Sequence, residues 1–323
     1  RLAPPELGYI LNDAEASALV VGEDYRQTVD GILSTLPVVR HFIALGDARG
    51  MRSYESLLSE RSPAEPVVAQ DEDNVVALMY TSGTTGRPKG AMLTHRSFLA
   101  NATNCIIEFG IKPSDVALHV TPLFHAAPVW PMICQLYVGG TQVIMKKFDA
   151  RLALALMQRH RVNTCNLVPT ILISLLDQPD VKSYDLSSLR WIGYGASPMP
   201  VPALKRAISV FGNIFIQVYG LTEASPLITC LPQEDHVVEG PPEKVRRLAS
   251  CGREMINVEA RVVAGNGQDV RTGQVGEIIA HGENVMKGYW KNPAATAEAI
   301  RNGYLYTGDL ATVDEEGYIF IVD

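Results

Sequence analysis

Short apolar runs recur along the first two-thirds of the chain, and most are followed by a stretch with helical spacing. The pattern predicts a helix over 5–13, with Pro5 in its first turn, and a strand at Ala16–Val21. A helix from about Tyr25 to Leu36 and a strand at Val38–Leu45 follow. Arg61–Asn74 carries Pro63, Pro66, Glu65, Asp71, Glu72 and Asp73, and reads as a linker. Beyond it, strands are expected at 75–80 and near 116–120, 141–145, 163–167, 189–193 and 214–218. Helices are expected around 128–138, 149–160, 169–177 and 200–211, and one more begins near Thr94, a fitting N-cap. Strands alternating with helices imply a parallel sheet.

After Tyr219 the rhythm changes. Residues 231–251 are polar and proline-rich. Short strands are expected at 257–263, 275–281, 304–307 and 318–322, separated by turn signals such as Gly265-Asn266-Gly267 and Glu315-Glu316-Gly317. One helix, 293–300, interrupts them. The expected organisation is an α/β part over 1–230, with its linker near 61–74, and a β-rich subdomain over 231–323.

Composition narrows the partners more than the fold. The 323 residues are 47% hydrophobic and 20% charged, as in an ordinary globular protein. The net charge of -7 gives no sign of nucleic-acid binding. Arg246-Arg247 and Lys146-Lys147 are isolated basic pairs and read as solvated. Cys105, Cys134, Cys165, Cys230 and Cys251 show no paired spacing, which suggests reduced thiols in a cytoplasmic setting. No histidine spacing suggests zinc. Val116–Met145 lacks charges, but its prolines and glycines point to a buried strand, loop and short helix in place of a membrane span. No signal peptide is visible, and the chain reads as a piece of something longer.

The chemistry begins at Tyr80-Thr81-Ser82-Gly83-Thr84-Thr85-Gly86-Arg87-Pro88-Lys89-Gly90. An apolar strand feeds a loop rich in hydroxyls and glycine, with one lysine. Backbone N–H groups, hydroxyls and an ammonium suit polyphosphate oxygens. The loop departs from the Walker A pattern, because Lys89 is followed by Gly90 where that motif needs Ser or Thr. A plain surface turn is the alternative. A second strand ends in Gln217-Val218-Tyr219-Gly220-Leu221-Thr222-Glu223. Ligands of open α/β sheets bind at such carboxyl ends. Tyr219 suits stacking on a flat base, and Thr222 and Glu223 suit Mg²⁺; a structural loop is the alternative. The third stretch, Tyr304-Leu305-Tyr306-Thr307-Gly308-Asp309-Leu310, reads either as a turn or as a carboxylate able to accept two ribose hydroxyls.

Together and in this order, these three stretches resemble the signatures of the adenylate-forming superfamily, which includes acyl- and aryl-CoA synthetases and peptide-synthetase adenylation domains. The resemblance implies layered parallel-rich sheets with helices, followed by a small distorted β-barrel-like subdomain. It implies phosphate contacts by Thr81, Ser82, Gly83, Thr84, Thr85, Gly86 and Lys89, adenine stacking by Tyr219 beside Gly220, phosphate or metal contact by Thr222, Mg²⁺ ligation by Glu223 and ribose binding by Asp309. Gly193-Tyr194-Gly195-Ala196-Ser197-Pro198 resembles the family's adenine-binding backbone segment, with Gly195, Ala196 and Ser197 at its centre. Pro122-Leu123-Phe124-His125 resembles the segment whose histidine borders the acyl and thiol tunnels. Thr222, Glu223, Lys89 and His125 are thus the catalytic candidates.

Ala249–Asp323 resembles acyl-CoA synthetases more than peptide-synthetase domains. The implied reaction joins a carboxylic acid and ATP into acyl-AMP and pyrophosphate, then transfers the acyl group to coenzyme A. The family's C-terminal lid domain is expected after Asp323, so this stretch alone is expected to adenylate poorly. Acid-pocket candidates are His125, Ala127, Trp130, Val168, Pro169, Gly195 and Leu227. Ala127 sits where hydroxycinnamate ligases tend to carry a larger polar aromatic, which favours a medium- or long-chain fatty acid. An aryl acid, a carrier-protein-loading domain and a non-catalytic nucleotide-binding homologue are the alternatives. A homodimer is left open.

Overall fold

The computed structural model describes residues 2–81 and 86–322. Two compact units emerge, one comprising 1–71 with 80–90 and the other 72–79 with 91–323.

In the smaller unit, α1 (Pro4–Asp13) precedes β1 (Ala18–Gly22), α2 (Arg26–Asp30), β2 (His41–Leu45), β3 (Arg52–Ser53) and α3 (Tyr54–Ser59). The three strands pair in parallel. The helix expected over 25–36 is instead broken into a 3₁₀ turn, the five-residue α2 and a second 3₁₀ turn at Leu33–Thr35. Gly31 sits at the break, where glycine's backbone entropy disfavours helix. Within this unit the Tyr80 hydroxyl donates to Asp13 Oδ2 at 2.5 Å, and the Tyr9 hydroxyl donates to the Pro88 carbonyl at 3.2 Å.

Chain order continues through β4 (Val75–Thr81), β5 (Lys89–Thr94), α4 (His95–Phe109), β6 (Val116–His119), α5 (Ala126–Val138), β7 (Thr141–Ile144), α6 (Ala150–Arg159), β8 (Thr164–Leu167), α7 (Pro169–Leu176), β9 (Trp191–Gly195), α8 (Val201–Phe211), β10 (Phe215–Gly220) and β11 (Leu227–Leu231). The rest comprises α9 (Pro242–Arg246), β12 (Arg253–Glu254), β13 (Glu259–Val263), β14 (Gly276–His281), β15 (Gly288–Tyr289), α10 (Pro293–Ala299), β16 (Ile300–Arg301), β17 (Tyr304–Val313) and β18 (Ile319–Ile321).

A seven-stranded sheet, ordered β12-β11-β10-β9-β8-β6-β7, forms the centre of the larger unit. Its strands from β10 to β7 run parallel, and β11 and β12 join antiparallel. Helices cover both faces, so β9 is buried along its whole length. Trp191, on one face, stacks at 6.4 Å on Trp130 of α5 and meets Phe109 of α4 at 5.9 Å. Ile192 and Tyr194, on the other face, pack in a second core with Leu154, Leu172 and Leu204 of α6, α7 and α8. Local signals set these helices. Thr94 accepts from the Ser97 backbone and caps α4, which ends at left-handed Gly110. Asp149 caps α6, whose Ala153, Leu154 and Met157 form a buried stripe.

The β-rich region is an antiparallel sheet, β13-β14-β17-β16, with β18 on β17. β15 instead pairs with β5, Gly288 opposite Met92 and Tyr289 opposite Ala91. Arg247 corrects the expectation of a solvated basic pair. It is buried, with ion pairs to Asp235 at 2.8 Å and Glu316 at 2.5 Å, while Arg246 stays exposed. The two residues follow each other at a helix terminus, where successive side chains point to different sides. Among the described residues no helix is long and apolar enough to cross a membrane. The uncharged Val116–Met145 stretch folds as β6, α5 and β7. All five cysteines are free and buried.

Candidate active site

β9 and β10 lie side by side and both finish in glycine. A Cβ at Gly195 would overlap the Val218 carbonyl oxygen, and one at Gly220 would overlap that of Pro226. Glycine is therefore what lets the strand ends approach so closely. Ala196 then turns the chain with φ +65, a left-handed conformation that L-residues adopt only at a cost of about 1–2 kcal/mol.

Two cavities flank this strand-end ridge and share Ala196, Val218 and Gly220. The first has a volume of about 550 Å³. His125, Ala127, Trp130, Val168, Gly195 and Leu227 all line it, as does Thr222. Pro169, which was expected beside them, is buried in the first turn of α7 and is not part of the wall. His125 is exposed at the N-cap of α5, with its ring 4.5 Å from that of Phe124. Trp130 serves both core and cavity: it is 2% exposed, and its indole N–H has no hydrogen-bond partner.

Asn166 was not foreseen. Pro131 lies inside α5 and cannot donate to the Ala127 carbonyl one turn back. The Asn166 Nδ2 group from β8 donates to that carbonyl at 3.2 Å instead. This fixes the carboxamide and leaves Oδ1 buried without a partner at the cavity wall. The available signal was only an asparagine inside an expected strand.

The second cavity, about 500 Å³, is lined by Ser197, Gln217, Tyr219, Ser250 and Asp309, among others. The Tyr219 hydroxyl donates to Asp309 Oδ2 at 2.7 Å. Burial, reinforced by this bond, pushes the Tyr219 phenol far above its ordinary value, so it stays protonated and donating. The Asp309 backbone N–H donates to Thr307 Oγ1, whose hydroxyl donates to the Ile278 carbonyl on β14. The Thr-Gly-Asp stretch is thereby pinned to the β-rich sheet.

Glu223 lies in the 3₁₀ turn after β10 and is 6% exposed. Its Oε1 accepts from the Tyr289 hydroxyl at 2.9 Å, and its backbone carbonyl accepts from Met286 N–H at 2.7 Å. Thr222 and Glu223 both carry hard oxygen donors, while no group of three His, Cys, Asp or Glu that could hold a metal occurs among the described residues. That donor set does not form an all-protein metal cage. It fits a Mg²⁺ that draws most of its ligands from phosphate and water.

Of the glycine-rich loop, Ser82, Gly83, Thr84 and Thr85 lie outside the described residues. Thr81 ends β4, Gly86 takes φ +96, and half-buried Lys89 opens β5. These residues belong to the smaller unit.

The parallel sheet thus carries two ligand-sized cavities at its carboxyl edge, one lined mainly by apolar residues and one carrying Tyr219 and Asp309. The chain belongs to the AMP-binding enzyme family, whose model matches residues 1–290. It is 37% identical to a feruloyl-CoA synthase of Amycolatopsis over all of its length and 62% of that protein's. It is 34% identical to the medium/long-chain-fatty-acid–CoA ligase FadD8 of Mycobacterium tuberculosis, covering 98% of this chain and 55% of the ligase. The inhibitor-bound N-terminal domain of FACL13 from Mycobacterium tuberculosis superposes with a TM-score of 0.91 at 30% identity, covering all of this chain and 78% of that one. The relatives are acid–CoA ligases, and the fold is that of acyl-CoA synthetase N-terminal domains.

Proposed function

We propose that this chain is the nucleotide- and acid-binding portion of an AMP-forming carboxylic acid–CoA ligase. The observation that carries the reading is the shared wall of the two cavities, Ala196, Val218 and Gly220. An acid whose apolar body fills the first cavity presents its carboxylate at that wall, toward a nucleotide in the second. Asp309 accepts the ribose hydroxyls, Tyr219 borders the adenine, and the backbone from Gly195 to Ser197 meets its edge. The N–H groups, hydroxyls and Lys89 of the 81–90 stretch supply the chemistry that phosphate oxygens call for.

The carboxylate oxygen attacks the α-phosphorus, and the bond to the pyrophosphate oxygen breaks. Both partners are anions, so positioning and charge neutralisation carry the step, and no protein base is required. Glu223 and Thr222 would hold Mg²⁺, which when bound would supply neutralisation of phosphate charge. Coenzyme A thiolate then displaces AMP, with His125 at the cavity rim.

Acid-dependent exchange of pyrophosphate into ATP by the full-length protein tests the reading. Exchange with at least one acid, lost in Glu223→Ala, is expected; unchanged exchange in that variant removes the metal assignment. For the acid, small Ala127 in an apolar wall supports a medium- or long-chain fatty acid. One observation favours a hydroxylated aryl acid instead: the unpartnered Asn166 Oδ1, a residue of the first cavity's wall. Paired acids with and without a terminal hydroxyl separate the two, because a pocket built around a polar group discriminates against the analogue lacking it.

A further inference from the structure

We propose that Tyr289 is a positioning residue for Glu223, its hydrogen bond to one carboxylate oxygen orienting the group for Mg²⁺; the proposal rests on the metal role assigned to Glu223 above. Tyr289 is 8% exposed and lies on β15, remote in sequence from the loops that line either cavity. Its hydroxyl donates to Glu223 Oε1 at 2.9 Å. A fixed donor on one oxygen restricts rotation of the carboxylate about its terminal torsions.

The donor is itself held by two elements, α10 and β5. Tyr289 N–H donates to Thr296 Oγ1 at 2.9 Å, and the Thr296 hydroxyl donates to the Asn292 carbonyl at 2.9 Å. Gly288 takes φ +141, and a Cβ there would collide with the Thr296 side chain, so α10 packs directly on the strand. On the opposite edge β15 pairs with β5, with Lys287 N–H donating to the Met92 carbonyl at 2.9 Å. The same segment grips the Glu223 backbone through Met286 N–H. Residues 286–289 thus meet Glu223 at both main chain and side chain.

The test measures ATP binding to the full-length protein by calorimetry, without acid, across a Mg²⁺ series. Tyr289→Phe is expected to require roughly 10–100-fold more Mg²⁺ for half-maximal ATP binding, the loss typical when a partner behind a metal ligand is removed. Affinity at saturating Mg²⁺ should return close to that of the parent. Thr296→Val, which keeps the phenol but loosens its backbone, should shift the Mg²⁺ requirement less and in the same direction; it also serves if the phenylalanine variant does not fold. An unchanged Mg²⁺ requirement, or an affinity lowered equally at every Mg²⁺ concentration, overturns the proposal. Glu223→Ala in the same titration separates the two levels: if it leaves the Mg²⁺ requirement unchanged, the metal role of Glu223 itself falls.

Discussion

The Tyr219 hydroxyl and the Asp309 carboxylate are joined at 2.7 Å across 90 residues of sequence, linking the end of β10 to β17 of the β-rich sheet. The bond occupies one carboxylate oxygen and turns the group along the second cavity. Hydrogen bonds to a charged group contribute about 1.5–3 kcal/mol. Asp309→Ala should therefore weaken ATP binding by roughly 10–100-fold, since it removes the acceptor proposed for ribose. Tyr219→Phe keeps ring and carboxylate and should cost only a few-fold. Calorimetric titration with ATP compares them, and equal losses would mean that the pair serves packing alone.

Gly195 stands where the main chains of β9 and β10 come too close for any side chain. Gly195→Ala must push the Val218 carbonyl away or displace Ala196. Overpacking of this kind costs about 1–3 kcal/mol. The urea midpoint should fall accordingly, and acid and nucleotide binding should weaken together, because the displaced wall borders both cavities. A variant that loses stability but keeps both affinities would show that the ridge is only structural.

Much of this architecture was legible in the chain because its signals are local. Alternating strand and helix patterns, the Thr94 and Asp149 caps and the glycine-ended strands each act within a few residues, and the elements from β6 to β10 fall within a few residues of expectation. The six acid-pocket candidates that line one cavity were placed by resemblance and by the rule for carboxyl strand ends. What stayed hidden depends on distant partners. Asn166 matters because Pro131, on another element, leaves a carbonyl open. Tyr289 falls outside every expected element and meets Glu223, 66 residues away, only in the fold. Arg247 looked solvated because its carboxylates, Asp235 and Glu316, are assembled only by the fold.

That buried arginine carries a stability prediction. Arg247 and Asp235 are 9% and 12% exposed at the side chain, whereas Glu316, the other partner, is 56% exposed. The Tyr318 hydroxyl also donates to Asp235, and the Arg247 guanidinium lies 4.3 Å over the Tyr318 ring. Arg247→Met leaves the Asp235 charge buried with only the phenol, and removing one partner of a buried pair costs about 3–5 kcal/mol. Glu316→Gln, at a solvent-screened site, should cost under about 1 kcal/mol. Chemical denaturation of the three proteins measures both. Leu248, Ala249, Ser250 and Cys251 follow Arg247 directly and line the second cavity, so Arg247→Met should weaken ATP binding as well.

His236 gives the chain a pH dependence whose sign can be worked out. Its Nε2 lies 3.0 Å from the Tyr194 hydroxyl and its Nδ1 lies 2.9 Å from the Pro232 carbonyl. Burial is the main cause that lowers its pKa from 6.5 to about 4. The unfolded chain then binds the proton more readily than the folded one between these values. Stability is full above about pH 6.5, falls as the pH drops toward 4, and stops changing on this account below that. The expected loss between pH 7.5 and pH 5 is about 2 kcal/mol from this residue. Burial lowers His119 as well, so its contribution has the same sign. His236→Gln cannot take up the proton, so its stability should vary less over this range than that of the parent. Urea unfolding at pH 7.5, 6 and 5 measures both slopes, and parallel slopes would mean that His236 is already protonated in the fold at pH 5.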